Sequence, residues 1–99
     1  MSTPEEIAKE IKILESMDTY MDNYIDTFRN EQHHFNNFMQ EMFVSSWKGG
    51  NSNAFFERAG AYNSSFFTHL QSLENTHLEI IETKKMLELL QRAMDTTFD

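Results

Sequence analysis

The chain has 99 residues and a mass of 11.7 kDa, which suits one domain, because domains commonly span about 100 to 150 residues. It holds 16 Asp and Glu against 8 Lys and Arg, and the formal net charge of −8 argues against binding nucleic acid or anionic lipid. Cysteine is absent, which excludes disulfides, thiolate zinc sites and cysteine nucleophiles. We therefore expect a single domain over residues 1–99, held together by packing or by association.

The first half of the chain predicts one long helix. Thr3 suits the N-cap, Pro4 suits the first helical position, and Glu6 is placed to complete a capping box. No further glycine or proline occurs before Gly49. The predicted helix therefore runs from about residue 4 to about residue 46.

The second half predicts a turn followed by a second long helix. Gly49 and Gly50, with the Asn and Ser residues that follow them, have the chemistry of a turn and an N-cap. We place the turn at about 47–52 and the helix at about 53–94. Gly60 is the one helix breaker inside this segment; it either permits a close approach beside Glu41 and Trp47 or is neutral.

Apolar residues recur every seven positions along both predicted helices, as expected for two faces that pack together. In an antiparallel pairing of the two stripes, Phe28 lies opposite Leu73 and Phe35 lies opposite Phe66. The sequence thus predicts an all-α, antiparallel two-helix hairpin with its turn at the centre of the chain. The predicted seam comprises Ile7, Leu14, Met21, Phe28, Phe35, Met42, Ala59, Phe66, Leu73, Ile80, Leu87 and Met94, to which we add Phe55 as a further packing residue.

Other large apolar residues fall outside this seam. A pair of helices has too little interior to cover them, and contiguous exposed apolar patches usually mark interfaces. We therefore expect two hairpins to pair into a dimeric four-helix bundle. The residues expected to be exposed in a lone hairpin are Ile13, Tyr20, Phe43, Phe56, Phe67, Leu78, Ile81 and Leu89.

The central turn carries the only tryptophan, in the sequence Trp47-Lys48-Gly49. Together with two arms of equal length in about a hundred residues, this motif resembles the WXG family, the ESAT-like substrates of bacterial type VII secretion systems. Phe55 occupies a position where members often have an aromatic or large apolar residue. The resemblance covers essentially the whole chain and implies a helical hairpin that dimerises with itself or with a related hairpin.

The resemblance also implies a function that depends on protein contacts. It implies that Trp47 and Gly49 contribute to recognition by the export ATPase, and that the protein is made in the cytoplasm and secreted without a classical signal peptide. The first residues indeed lack the basic start and apolar run of such a signal. A role in virulence or interbacterial competition would follow from secretion.

One feature departs from the family. Many members, or their partners, carry Tyr-x-x-x-Asp or Tyr-x-x-x-Glu after the second helix as part of the export signal, and this chain has none. Either a partner supplies the signal or a different tail is recognised. The alternative function is therefore a dedicated helical targeting partner or chaperone of a larger LXG-type toxin.

Two Glu-x-x-His sequences, Glu31 to His34 and Glu74 to His77, raise a remote alternative, because such sequences line di-iron sites in four-helix bundles. The predicted pairing offsets the two sequences along the hairpin, so we expect solvated positions beside the seam and no metal site. No phosphate loop or nucleophile elbow occurs. We therefore expect no enzymatic activity, no cofactor and no binding to nucleic acid, and we expect membrane binding to be unfavourable.

Overall fold

The computed structural model describes residues 3–44 and 50–98, with the side chains of residues 3–42 and 52–95. The chain forms two α-helices, α1 (Pro4–Val44) and α2 (Gly50–Phe98). No strand occurs in these two ranges. The two long helices pack against each other, which confirms the predicted all-α fold with two paired helices.

The start of α1 follows the predicted capping chemistry. The backbone N–H of Glu6 donates to Oγ1 of Thr3 at 3.1 Å, and the N–H of Ile7 donates to the Thr3 carbonyl at 3.0 Å. The bond from Glu6 satisfies an N–H group that has no partner inside the helix, and the bond from Ile7 is the first backbone bond of the helix. Glu5 and Glu6 add negative charge to the first turn, where it interacts favourably with the helix dipole.

The second helix is longer than predicted at both ends. It begins at Gly50, and the predicted turn at about 47–52 is therefore wrong for its last residues, which are helical. Ser52 is buried, with 2% of its surface exposed, so packing extends the helix through a sequence of low intrinsic helix propensity. At the other end the helix continues to Phe98 and not only to about residue 94. The residues between the two helices, 45–49, lie outside the described part of the chain.

The chain divides into two packing units. Unit 1 comprises Met1–Asn23 and Glu74–Asp99, and unit 2 comprises Tyr24–Leu73. In unit 1 the buried apolar side chains are Ile7, Ile11 and Ile80. In unit 2 the buried apolar side chain is Ile25, and rings of both helices stack around Phe66. Cross-helix contacts run in opposite directions along the two helices in each unit, so the helices are antiparallel.

The seven-residue stripes predicted from sequence lie at the helix pairing. Ile7 and Ile80 are buried, and ten further members of the predicted seam are half-buried. Phe55 is exposed over 39% of its surface and its ring centroid lies 5.7 Å from that of Phe56; its packing in a dimer stays a prediction. Seven residues before Ala59 the stripe passes through the buried Ser52, so Phe55 falls outside it. The half-buried members are Leu14, Met21, Phe28, Phe35, Met42, Ala59, Phe66, Leu73, Leu87 and Met94.

A second set of residues, four positions after the first, completes the seam. On both helices most buried and half-buried positions alternate at steps of four and three, the repeat of a coiled coil. The apolar members Ile11, Ile25 and Met39 fit the sequence pattern. Several members are polar, and these are Asp18, Gln32, Asn63, His77, Lys84 and Gln91.

The polar members set a pairing that differs from the predicted one. Phe35 does lie against Phe66, with ring centroids 6.4 Å apart. Phe28, however, contacts Phe66 and His69, which precede its predicted partner Leu73. Apolar spacing alone fits either alignment, because both sets of the seam repeat every seven residues. Partly buried amides favour the alignment in which they form a hydrogen bond, and Gln32 does so with Asn63.

Gly60 has open space beside it among the described residues. A Cβ atom built on Gly60 meets none of their heavy atoms within 4 Å outside its own helical surroundings, so no close approach to Glu41 occurs, whereas Trp47 lies outside the described residues. A cavity of about 160 Å³, lined in part by Phe35, Met39 and Asn63, adjoins it.

We expect Gly60→Ala to raise the free energy of unfolding by about 1 kcal/mol, because alanine loses less backbone entropy than glycine when a helix forms. Urea unfolding followed by circular dichroism measures the change. An unchanged or lower free energy of unfolding would contradict the open space at this position.

Candidate interaction surfaces

Large apolar side chains are exposed in both units. Of the eight predicted to be exposed, Ile13, Tyr20, Phe67, Leu78 and Leu89 are, with exposed fractions between 53% and 68%. The prediction is wrong for Phe56 and Ile81, which are half-buried. Phe56 belongs to the seam, and Ile81 directly follows the buried Ile80. The side chain of Phe43 lies outside the described residues. Further exposed apolar residues are Met17, Tyr24, Phe38, Phe55, Tyr62, Met86 and Leu90.

One edge of unit 1 is charged. Glu15 directly follows the seam residue Leu14, and Glu88 directly follows Leu87. Nζ of Lys84 lies 3.7 Å from a carboxylate oxygen of each. Ion pairs with this much solvent exposure contribute little stability, but they show which residues of the two helices share this edge.

The opposite edge of unit 1 is apolar. Met17 directly precedes the seam residue Asp18, and Ile13 and Tyr20 lie about one turn before and after it. On α2, Leu90 directly precedes the seam residue Gln91, and Met86 lies one turn before Leu90. In an antiparallel pair, residues that directly precede seam positions such as Asp18 and Gln91 lie on the same side of the two helices. The five exposed apolar residues therefore share one surface. We call it the Tyr20 face, comprising Ile13, Met17, Tyr20, Met86 and Leu90.

Formal charge is distributed unevenly between the units. Unit 1 holds twelve acidic and five basic residues, a formal charge of −7, whereas unit 2 holds four acidic and three basic residues, a formal charge of −1. The two stripes that form the Tyr20 face also contain Glu6, Glu10 and Glu79, and within unit 1 they contain no Lys or Arg. Any partner of this face therefore meets carboxylates beside apolar side chains.

Two polar contacts cross the seam. In unit 1, Nε2 of His77 lies 2.5 Å from Oδ1 of Asp18, with side chains 17% and 35% exposed. In unit 2, Nε2 of Gln32 donates to Oδ1 of Asn63 at 3.3 Å. His77 is thus a seam residue, and its prediction as a solvated position beside the seam is wrong. The sequence offers little warning, since polar residues are usually read as solvent-facing.

Unit 2 contains an aromatic cluster around Phe66. The ring centroid of Phe66 lies 4.7 Å from those of Phe28 and Tyr62, and the ring centroids of Phe28 and His69 are 5.2 Å apart in an edge-on arrangement. Phe35 contacts Tyr62 at 5.3 Å. Tilted and edge-on pairs at these distances are favourable because the positive edge of one ring meets the negative face of another.

The residues considered for a di-metal site belong to different packing units. Glu31 and His34 belong to unit 2 and are exposed, whereas Glu74 and His77 belong to unit 1. Within residues 3–44 and 50–98, no three His, Asp or Glu side chains are grouped so that they could hold a metal ion. His77 instead contacts Asp18.

Trp47 and Gly49, the predicted export residues, lie outside the described residues. Over the described ranges, neither helix contains a segment long and apolar enough to cross a membrane. Comparisons with protein-family models, with curated proteins and with solved structures found no match to this chain.

Proposed function

We propose that this protein is a small, non-enzymatic secreted substrate of a bacterial type VII secretion system. In this proposal it acts through protein contacts, as one hairpin of a homodimeric or heterodimeric four-helix bundle, after export without a signal peptide. Trp47 and Gly49 contribute to recognition by the export ATPase, as the resemblance to the WXG family implies. The exposed residues of the Tyr20 face contact the second hairpin.

The observation that carries the proposal is the combination of a narrow seam with extensive exposed apolar surface. Each described helix buries only a strip of residues at steps of four and three, and many large apolar side chains outside it are exposed. Exposed apolar surface of this kind usually marks an interface, so it suits association with a second chain.

Export by the source cell tests the role of Trp47. We expect Trp47→Ala to reduce the secreted fraction by about tenfold or more, since truncating an aromatic hot spot typically costs about 2 kcal/mol of recognition. The measurement compares the chain in the medium with the chain in the cells, with and without the export ATPase. Phe67→Ala is the control, because Phe67 is a large exposed aromatic residue on α2.

Light scattering and circular dichroism on the purified variants separate export from folding. Trp47→Ala should keep the helical content and mass of the wild-type protein. Secretion at the wild-type level would remove Trp47 from the export signal, and secretion without the ATPase would overturn the proposed pathway.

The second candidate function is a targeting partner or chaperone of a larger LXG-type toxin. The concentration of carboxylates beside an exposed apolar face in unit 1 favours it, because it suits a partner unlike this chain. It predicts that deleting this chain stops export of the toxin. In the first candidate function, this chain is secreted whether or not a toxin is present.

A further inference from the structure

We propose that the Tyr20 face binds an amphipathic helix of a different chain, whose apolar stripe has Lys or Arg near both ends. The inference deepens the proposed function, on which it rests, by naming the chemistry of the second hairpin. It selects between two states that the sequence left open, a pair of identical chains and a mixed pair.

The geometry of the face suits a helix. Its five residues come from both helices, and those on α1 are spaced four and three residues apart, so their side chains form a continuous strip. The Asp18–His77 and Glu15–Lys84 contacts place Met86 and Leu90 level with the turn of α1 before Ile13. The strip therefore covers nearly four turns of a bound helix, roughly 20 Å. Met17 and Met86 add flexible thioethers that adapt to an opposing surface, and Tyr20, 68% exposed, adds a large aromatic contact.

Charge argues for a partner other than a second copy. Glu10 lies one turn before Ile13 on α1, and Glu79 lies seven residues before Met86 on α2. Because the helices are antiparallel, these carboxylates flank opposite ends of the face. Two copies joined through this face would bring two units of formal charge −7 together, and like charges at an interface are unfavourable.

The partner's own chemistry follows from this arrangement. Leu, Met or aromatic side chains in its central turns would contact the apolar residues of the Tyr20 face. Lys or Arg near each end would lie within reach of Glu10 and Glu79, where opposite charge accelerates association and excludes acidic helices. Unit 2 has a formal charge of only −1, so it lacks this preference for a basic helix over an acidic one.

Binding of designed peptides to the full chain tests the proposal. The probes are amphipathic peptides of about 21 residues, six turns of helix, that share one Leu and Met stripe and carry either Lys or Glu at both ends of it. A third peptide has the composition of the Lys peptide in scrambled order. Fluorescence anisotropy should show saturable binding of the Lys peptide, and at least about tenfold weaker binding of the other two.

Variants of the protein locate the binding. Leu90→Ala and Tyr20→Ala should each weaken binding of the Lys peptide by about tenfold. Leu89→Ala is the matched control, because Leu89 precedes Leu90, is exposed, and lies outside the Tyr20 face; it should bind as the wild type does. Circular dichroism on each variant shows that the helices are retained.

Three outcomes would overturn the inference. One is equal binding of the scrambled peptide, which would indicate charge attraction without a helix site. Another is an equal loss of affinity for the Lys peptide in Leu89→Ala and Leu90→Ala. The third is a dimer of the chain alone that Tyr20→Ala and Leu90→Ala dissociate, which would show that a second copy occupies the face. None of these depends on the export assay, so each proposal fails independently of the other.

Discussion

Phe66→Ala is expected to lower the free energy of unfolding by about 3 kcal/mol. The substitution removes a large half-buried side chain and leaves a cavity, a loss that typically costs about 3 to 5 kcal/mol in a full core. The lost contacts include those of the Phe66 ring with Phe28, Phe35 and Tyr62, which this range already covers. Because Phe66 keeps some exposure, the lower end of the range applies.

The neighbouring phenylalanine supplies the control for this measurement. Phe67 has the same size and helix but is 57% exposed, so Phe67→Ala should change the free energy of unfolding by no more than about 0.5 kcal/mol. Urea unfolding at one protein concentration compares the two variants. Equal losses in the free energy of unfolding would mean that Phe67 is packed as Phe66 is. The seam of unit 2 would then include a different set of residues.

Gln32 and Asn63 should show strong coupling in a double-mutant cycle. Gln32→Leu or Asn63→Leu alone leaves the partner amide partly buried without its hydrogen bond, and we expect each to lower the free energy of unfolding by about 1 kcal/mol. The double variant places two leucines together and should be at least as stable as the wild type. The expected coupling is therefore about 2 kcal/mol in favour of the double variant.

The same cycle tests whether the polar pair selects the alignment of the helices. If the double variant keeps its stability but forms several species by light scattering, the role of Gln32 and Asn63 is to specify one alignment of the helices. Single polar residues have this role in coiled coils. Additive single losses in a uniform species would contradict the coupling. A matched control pair is Ile25 and Leu73, apolar seam residues for which no polar partner is lost.

The sequence predicts the helices of this protein better than their alignment. Seven-residue spacing from Ile7 and from Ala59 identifies one set of seam positions, and Thr3 predicts where α1 begins. Apolar periodicity does not reveal Asp18 or His77, because a polar residue becomes a seam residue only when a partner lies opposite it. Pairings across the seam therefore become known only from the structure.

Local composition also places the start of α2 a few residues late. Gly50 and its neighbours have turn chemistry, yet they belong to α2, where Ser52 is buried. The difference arises because tertiary packing overrides intrinsic preference where the free-energy differences are about 1 kcal/mol per residue.

The alternation of steps of four and three along both helices has a consequence for evolution. Only about two residues in every seven face the opposite helix, and substitutions at exposed positions usually change stability by no more than about 0.5 kcal/mol. Most positions can therefore drift freely while the pairing of the helices persists. Descendants of such a chain would lose recognisable similarity to one another long before they lose their common architecture.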